Sequence, residues 1–367
     1  MKPTTVLPDD PALPGLVAIR ASGLARAIPA LGLEDRSIDL VLRGYTPGSR
    51  ATIETRAGQR SFVVKAYAHD PAPEAELYET LAAGLAGESG VRVPPLLAWS
   101  RALRILVIGW LEGPTVERLV KSGQGRRAGD LAARWFQRTR SASVTLGPPL
   151  GAVSTLHRAR ECVAAMGRLD PALGATAMVV AGMLALTQPA RDAPRLVGDT
   201  LSARAAMILR RARAWVAGLR AAEPGLRLAA AALPPRLGRI ESRESAPGLV
   251  HGTLYARHLL DTRDGTGVID WQRFGQGPVE LDAGTLLATI WRIGLRGEPH
   301  AGEAARAEKA FLAGTAGMFD PRALAWHRAA VLLRLASKQN RRKDGNWVAK
   351  ARVLLGEAAR LAEAADG

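Results

Sequence analysis

Cysteine is almost absent from this sequence of 367 residues, in which Cys162 is the only one. A single cysteine excludes an internal disulfide and every metal site that needs several thiolates. No apolar run is long enough to cross a bilayer, and the N-terminus lacks the basic-then-apolar pattern of a secretion signal. These absences predict a cytoplasmic protein without a membrane segment.

Aromatic residues (5%) and lysines are also scarce, so arginine supplies most of the net charge of +16. Such an excess attracts anions, among them nucleic acids, anionic lipids and phosphorylated ligands. The basic residues are spread along the chain, apart from one cluster at Lys338, Arg341, Arg342 and Lys343, and no aromatic residues interleave with them. We therefore expect no nucleic-acid partner. If the protein did bind RNA or DNA, this cluster is where we would expect the contact.

The first 110 residues are interpreted as strands and turns around one helix. Apolar alternation and turn residues predict strands over 37–42, 50–56, 61–67, 96–99 and 105–110. Helical spacing after two prolines predicts a helix over 74–86.

Beyond Gly113 the pattern changes to long helices rich in alanine, leucine and arginine. Helices are predicted over 128–138, 158–166, 176–186, 202–221, 283–292, 301–313, 321–337 and 348–364. A short β segment interrupts them at 248–251, 259–260 and 267–271. A strand-rich lobe (1–112) before a helical lobe with an embedded hairpin (113–367) is an α+β, bilobal plan typical of kinases.

Lys65 stands in the middle of an otherwise apolar predicted strand. Phosphoryl transfer needs a cation on the nucleotide phosphates and a carboxylate that fixes this cation. A lysine in an apolar strand is costly without an ionic partner, which favours this role over that of an outward-facing edge lysine. The predicted partner is Glu74, with Glu76 as the second choice; Glu79 lies further along the same helix.

Two short segments carry the remaining chemistry. The first contains His251-Gly252-Thr253, and the second is an apolar strand that ends in Asp270-Trp271 after a short hairpin. Asp270 lies where a hard oxygen ligand can hold Mg²⁺ against phosphates. Asp282 is interpreted either as the N-cap of a helix from Ala283 or as part of the site.

These segments resemble the aminoglycoside phosphotransferase and choline-kinase-like family, whose signature is His-Gly-Asp, four residues, Asn, and then a strand ending in Ile-Asp-Trp or Ile-Asp-Phe. The resemblance covers most of the chain. It implies a protein-kinase-like fold, ATP and Mg²⁺ as cofactors, a nucleotide-covering hairpin at 41–50 and a hinge at 106–113. The resemblance assigns Lys65, paired with Glu74, to the phosphates, and the backbone of Gly109, Trp110 and Leu111 to the adenine. It assigns Asp270 and His258 to the metal. His251, Thr253 and Arg257 are assigned to the place of phosphoryl transfer.

Two positions depart from this signature, because Thr253 replaces its Asp and His258 replaces its Asn. A threonine hydroxyl can position a substrate but cannot act as a base near neutral pH. Since Mg²⁺ prefers oxygen ligands, His258 is expected to weaken Mg²⁺ binding or to shift the preference toward Mn²⁺ or Zn²⁺. One interpretation is a slow ATP-dependent phosphotransferase that acts on a hydroxyl of a small molecule. The other is a pseudokinase that binds nucleotide or a partner without transfer.

Charge also bears on the acceptor. Aminoglycosides are polycations, whereas the helices after Asp282 carry scattered acids among many arginines. Steering by a net charge of +16 likewise disfavours a cation. We therefore expect a small hydroxylated metabolite that is neutral or anionic. Nothing in the sequence indicates the oligomeric state.

Overall fold

The computed structural model describes residues 6–34, 36–84, 90–139, 144–189, 244–342 and 345–365. The chain divides into two units. The first comprises Met1–Arg118, Arg134–Gly147 and Arg257–Gln272, and the second comprises Leu119–Ala133, Pro148–Ala256 and Arg273–Gly367. This division differs from a single boundary at residue 112, because the hairpin within Arg257–Gln272 pairs with a strand of the first unit.

Antiparallel strands form most of the first unit. The strands before residue 110 are β1 (Ile38–Thr46), β2 (Arg50–Ala57), β3 (Arg60–Tyr67), β4 (Val91–Arg92), β5 (Leu96–Ser100) and β6 (Ile105–Gly109). All but β4 belong to one sheet in the order β1-β2-β3-β6-β5. The five strands predicted for this region are confirmed, with β1 running on to Thr46 so that the following turn is shorter than expected.

Helices pack on this sheet. They are α1 (Pro14–Ser22), α2 (Leu24–Ala27) and α3 (Ala72–Gly84). The predicted helix over 74–86 corresponds to α3, and residues 85–86 lie outside the described residues. The interpretation of the first hundred residues as strands and turns around one helix missed α1 and α2. Both bury their apolar side chains in the core of the sheet, with Leu16 and Ile19 packed in one cluster with Phe62 and Ile105.

A short hairpin and a two-stranded sheet follow the helical region. Their strands are β7 (Gly248–Val250), β8 (Leu259–Thr262), β9 (Gly265–Val268) and β10 (Gly275–Gly277). In the first unit β8 and β9 form an antiparallel hairpin, and β4 pairs in parallel with β9. In the second unit β7 pairs with β10. The loop that carries Thr253 and Arg257 follows β7 and precedes β8.

Helices dominate the rest of the chain. They are α4 (Val116–Lys121), α5 (Gly125–Thr139), α6 (Ala152–Leu169), α7 (Pro171–Leu186), α8 (Val279–Gly294), α9 (Glu298–Gly314), α10 (Pro321–Ser337) and α11 (Trp347–Ala364). In the second unit α6, α7, α10 and α11 share one apolar core around Trp326, whose indole N–H donates to the carbonyl of Leu184 at 2.8 Å. The helix predicted over 202–221 and Lys343 of the basic cluster lie outside the described residues. None of the described helices combines the length and the apolar composition needed to span a bilayer.

Candidate functional site

Lys65 lies in β3, and its side chain is buried against the start of α3. Its Nζ is 2.8 Å from Oε1 of Glu74. The structure pairs Lys65 with Glu74 and not with Glu76, because Glu74 faces the buried side of α3 whereas Glu76 is exposed. Tyr67 donates from its hydroxyl to Oε2 of Glu74 at 2.6 Å. Sequence reasoning missed Tyr67, although its position two residues after Lys65 puts it on the same face of the strand.

The Lys65–Glu74 pair holds a permanent cation inside the protein. Both side chains are less than a tenth exposed. Burial lowers the pKa of Lys65, but the Glu74 carboxylate opposes this effect, and the resulting pKa is raised well above its ordinary value. Burial likewise raises the pKa of Tyr67. Lys65 is therefore charged at every physiological pH and held in one position.

Asp270 follows β9 and lies next to Lys65. Its φ of +71° is in the left-handed region, which aspartate tolerates better than most other residues. Oδ1 is 3.4 Å from Nζ of Lys65, and Oδ2 is 3.5 Å from Nε2 of His258. The Asp270 side chain is 34% exposed, so its carboxylate is accessible.

A divalent cation at this place would find one hard oxygen ligand in Asp270 and one imidazole in His258. Among the described residues, no group of three or more His, Cys, Asp or Glu side chains is arranged to bind a metal. Mg²⁺ in phosphotransferases commonly takes one or two carboxylates and completes its shell with substrate phosphates and water. Asp270 therefore fits an Mg²⁺ ion held jointly with a nucleotide. His258 adds a nitrogen ligand, which suits transition-metal ions better than Mg²⁺.

The predicted hinge continues from β6. The N–H of Gly109 donates to the carbonyl of Pro95 at 2.8 Å, and the N–H of Trp110 donates to that of Ser61 at 3.3 Å. A Cβ atom on Gly109 would lie 2.6 Å from Cγ of Pro95, so this position requires glycine. These bonds occupy the backbone N–H groups of Gly109 and Trp110.

The loop after β7 carries His251, Gly252 and Thr253. Gly252 has a φ of +73°, and a Cβ atom there would lie 2.1 Å from the carbonyl oxygen of Arg273, so both the backbone and the available space require glycine. His251 is buried, and its Nδ1 accepts a hydrogen bond from the N–H of Thr253 at 3.3 Å. This acceptor role places the proton of a neutral ring on Nε2. The side chain of Thr253 is half-buried.

Asp282 anchors this loop from α8. Its Oδ2 accepts from the N–H of His251 at 2.6 Å, and its Oδ1 accepts from that of Gly252 at 2.9 Å. Burial raises the pKa of Asp282 to about 7, against the lowering effect of these N–H groups. The interpretation of Asp282 as the N-cap of a helix from Ala283 is wrong, because α8 begins at Val279 and Asp282 lies inside its first turn.

The predicted residues thus form two groups, each within its own unit. Lys65, Glu74, Asp270 and His258 are in contact in the first unit. His251 and Asp282 hold the backbone of the Thr253 loop in the second. Arg257 belongs to the first unit, where its side chain is exposed.

Sequence reasoning missed a small cavity in the second unit. The residues around it include Gly252 of the loop, Thr155 and Arg158 of α6, and His327 and Arg334 of α10. Burial lowers the pKa of Arg158, and the positive charges of Arg334 and Arg273 lower it further. Helical spacing cannot single out Arg158 and Arg334, because α6 and α10 each carry two further arginines.

The antiparallel sheet with its buried lysine–glutamate pair, together with a helical region, defines a phosphotransferase of the protein-kinase-like fold. The profile of the phosphotransferase enzyme family matches residues 43–327, a range that includes Lys65, Asp270 and the Thr253 loop. The chain therefore belongs to this phosphotransferase enzyme family, which indicates a small-molecule phosphotransferase. No curated protein matches the sequence.

Solved structures of phosphotransferases and kinases resemble this chain. The gentamicin complex of APH(2″)-IIa has a TM-score of 0.50 and 12% identity, with 91% of this chain and 95% of that chain covered. A choline/ethanolamine kinase family protein from Mesorhizobium loti has a TM-score of 0.49 and 14% identity, covering 94% and 93%. Choline kinase LicA from Streptococcus pneumoniae has a TM-score of 0.49 and 12% identity, covering 92% and 98%. At 12% identity, the likeness to the APH(2″)-IIa structure supports the fold and nothing more.

Proposed function

We propose that this protein transfers the γ-phosphoryl group of ATP to a hydroxyl group of a small molecule. The observation that carries the proposal is the buried Lys65–Glu74 pair with Asp270 3.4 Å from the same Nζ. A cation fixed by one carboxylate and lying beside a second, accessible carboxylate is the arrangement that holds nucleotide phosphates together with a metal. Because a buried ion pair is seldom a net source of stability, its presence favours a chemical role.

The nucleotide is assigned to the strand-rich lobe, residues 1–112, together with the segment that carries Asp270. Lys65 would contact the α- and β-phosphates, and the N–H of Leu111 would bind adenine beside Gly109 and Trp110. Asp270 and His258 would hold Mg²⁺ or Mn²⁺, which when bound neutralises charge on the phosphate oxygens. Arg257 would add positive charge near the γ-phosphate.

In the transfer, the acceptor oxygen forms a bond to the γ-phosphorus while the bond from this phosphorus to the β–γ bridging oxygen breaks, and ADP leaves. The hydroxyl proton passes to water or to a phosphate oxygen, because Thr253 carries no basic group. Thr253 would orient the hydroxyl by a hydrogen bond, on a loop fixed by His251 and Asp282. A general base contributes roughly 10²–10⁴-fold, and the phosphoryl transition state is loose, so the reaction is expected to be slow but not abolished.

A second function, nucleotide binding without transfer, is favoured by one observation. Thr253 and His258 depart together from the family signature, whereas Lys65 and Asp270 keep to it. Such a pseudokinase would bind ATP or a partner without transferring a phosphoryl group.

Turnover of radiolabelled ATP separates the two functions. We expect slow transfer by the wild type, with Mg²⁺ or Mn²⁺, to some member of a panel of neutral and anionic alcohols. Thr253→Asp should be faster by about 10²-fold, since it restores a base, and Thr253→Ser should match the wild type because it keeps the hydroxyl.

The opposite results are also defined. No transfer by the wild type with either ion, together with ATP hydrolysis gained by Thr253→Asp, would establish the pseudokinase. Unchanged nucleotide affinity and metal dependence in Asp270→Asn would contradict both functions. The cytoplasmic location and an acceptor that is not a polycation stay predictions from the sequence, and tight binding of gentamicin-type cations would overturn the latter.

A further inference from the structure

The cavity of the second unit lies directly against the Thr253 loop, since Gly252 forms part of its wall. Its volume is about 20 Å³. This is room for about one water molecule. Because the cavity is partly open to solvent, a headgroup can place an oxygen atom there while the rest of the ligand stays outside. The chemistry of the wall therefore selects the headgroup.

Positive charge dominates this wall. Within the described part of the chain, neither Arg158 nor Arg334 forms an ion pair with a carboxylate. The guanidinium of Arg334 lies 5.8 Å from the ring centroid of Tyr255, and its buried Nε has no hydrogen-bond partner among the residues that the structure describes. The two arginines are close enough for the charge of Arg334 to lower the pKa of Arg158. Half-buried like charges of this kind are costly unless an anion joins them.

Two further polar groups on the same wall have no hydrogen-bond partner among the described residues. Oγ1 of Thr155 and Nδ1 of His327 are buried and form no hydrogen bond to the described residues. The other ring nitrogen of His327 is fixed by Oε1 of Glu244 at 2.8 Å. Buried polar atoms are ordinarily satisfied, so two unsatisfied ones around a single cavity indicate a ligand.

The acids nearest the cavity are engaged by other groups, although the charge of Arg334 opposes the burial that raises the pKa of Asp282. Glu244 is engaged with His327. Asp282 uses both carboxylate oxygens to accept from the backbone of His251 and Gly252. The remaining wall includes Leu281, Ala330 and Val331, which offer no charge.

We propose that this cavity binds an oxyanion group, a carboxylate or a phosphate monoester, of the acceptor molecule. Arg158 and Arg334 supply the charged donors, which suit the planar or tetrahedral oxygens of such groups, and the hydroxyl of Thr155 supplies a directional hydrogen bond. The identification of the bound molecule as the acceptor rests on the proposed function, whereas the binding of the anion does not. The acceptor is then anionic and not neutral.

Four small alcohols test the site in the full-length protein. Three share a three-carbon skeleton and differ in charge, and the fourth is a cation. Isothermal titration calorimetry at constant ionic strength would compare glycerate, glycerol 3-phosphate, glycerol and choline, with ADP in excess to occupy Lys65. We expect at least one of the two anions to bind about tenfold or more tightly than glycerol and choline. Glycerate alone would identify a carboxylate site, and glycerol 3-phosphate alone a phosphate site. Equal binding of glycerol or choline would overturn the proposal.

Variants assign the binding to the cavity. Arg158→Met and Arg334→Met should each weaken anion binding by about tenfold, since each removes a charged donor but keeps an apolar stem. Arg160→Met is the matched control, because Arg160 is exposed on the same helix and should leave the affinity unchanged. If Arg334→Met does not fold, Arg158→Met decides alone, with Arg158→Lys expected to recover part of the affinity. Unchanged anion affinity in Arg158→Met would overturn the proposal.

The same titrations separate this inference from the proposed function. Loss of ADP binding in Lys65→Met with anion binding retained shows two independent sites. A wild type that binds ADP but no anion contradicts the inference and leaves phosphotransfer standing. A wild type that binds the anion but no ADP contradicts phosphotransfer and leaves the anion site standing.

Discussion

At the scale of single residues, Lys65 and Glu74 form a buried ion pair in the first unit. Removing two ions from water costs several kcal/mol each, and their attraction recovers this cost only in good geometry. The geometry is good, because Nζ and Oε1 are 2.8 Å apart and the hydroxyl of Tyr67 satisfies Oε2. The pair therefore fixes the position of a cation without adding much stability.

Breaking this pair should be costly. Lys65→Met leaves the Glu74 carboxylate buried and unpaired, so we expect the free energy of unfolding to fall by about 3–5 kcal/mol. The double variant Lys65→Met, Glu74→Gln removes that charge and should recover a large part of the loss, because the amide still accepts from Tyr67. Urea unfolding measures all three proteins, with Lys309→Met as the exposed control. A single variant as stable as the wild type would contradict the buried pair.

The raised pKa of Asp282 makes a prediction about pH. Its pKa is about 7 in the folded protein, against an ordinary value of 3.8. Between these values the folded state keeps a proton that the unfolded state has released. The stabilising contribution is therefore complete below about pH 4 and is lost as the pH rises through about 7. This one group should lower the free energy of unfolding by about 1.4 kcal/mol per pH unit between about pH 5 and pH 6.

Asp282→Asn should remove that slope, because an amide does not titrate. Urea unfolding at about pH 5, 6 and 7 would measure it in the wild type and the variant. Asp264→Asn serves as the control, since Asp264 is exposed in the turn between β8 and β9. An equal slope in Asp282→Asn and the wild type would show that the carboxyl group titrates normally.

At the scale of elements, the loop after β7 depends on glycine more than on any side chain. Gly252 combines a left-handed backbone with a carbonyl oxygen 2.1 Å from where a Cβ would lie. The same loop is tied to α8 by two backbone N–H groups that donate to Asp282. Thr253 is thereby positioned by the anchored backbone that precedes it.

Gly252→Ala should destabilise the second unit by at least about 2 kcal/mol, since it adds left-handed strain to a steric clash. Gly248→Ala is the matched control in the adjacent strand, because a Cβ there would meet nothing within 4 Å. Thermal and urea unfolding of both variants would measure the difference. Equal stability of the two variants would show that the loop can rearrange around the added methyl group.

Elements with a strong local pattern could be predicted from the sequence, and those fixed by distant contacts could not. The helix predicted over 321–337 is α10 with the same ends, since Pro321 begins it and apolar residues repeat at helical spacing. In contrast, β10 consists of Gly275-Gln276-Gly277 and has no side-chain pattern. Its pairing with β7 depends on close packing, because a Cβ on Gly275 would lie 2.3 Å from the carbonyl oxygen of Pro148.

The same limit applies to the site. Lys65 and Asp270 could be singled out because each is a charge at or in an apolar strand. The choice of Glu74 over Glu76 depends on the direction in which α3 packs, which the sequence does not show. The role of Asp282 depends on where α8 begins, which the sequence also does not show. Arg158 and Arg334 are far apart in sequence, and only the packing of α6 and α10 brings them to one cavity.

At the scale of the whole molecule, the net charge of +16 favours anionic ligands. Part of the arginine charge is neutralised locally, as in the pairs of Arg56 with Glu54 and of Arg328 with Glu308. The remaining surplus is spread along the chain and not confined to the cluster at 338–343. A distributed field of this kind steers small anions such as ATP and an anionic acceptor, and it repels polycations.

Steering should appear in the rate of nucleotide association. The association rate constant of a fluorescent ADP analogue, measured by stopped flow, should fall by about tenfold or more between low and high salt, because salt screens the surface charges. The dissociation rate should change less, since the buried Lys65–Glu74 contact is screened weakly. Arg160→Glu should alter association by less than about twofold, because no single residue creates a distributed field. An association rate independent of salt would mean that the surplus charge does not act on the nucleotide site, and the case for an anionic acceptor would then depend on Arg158 and Arg334 alone.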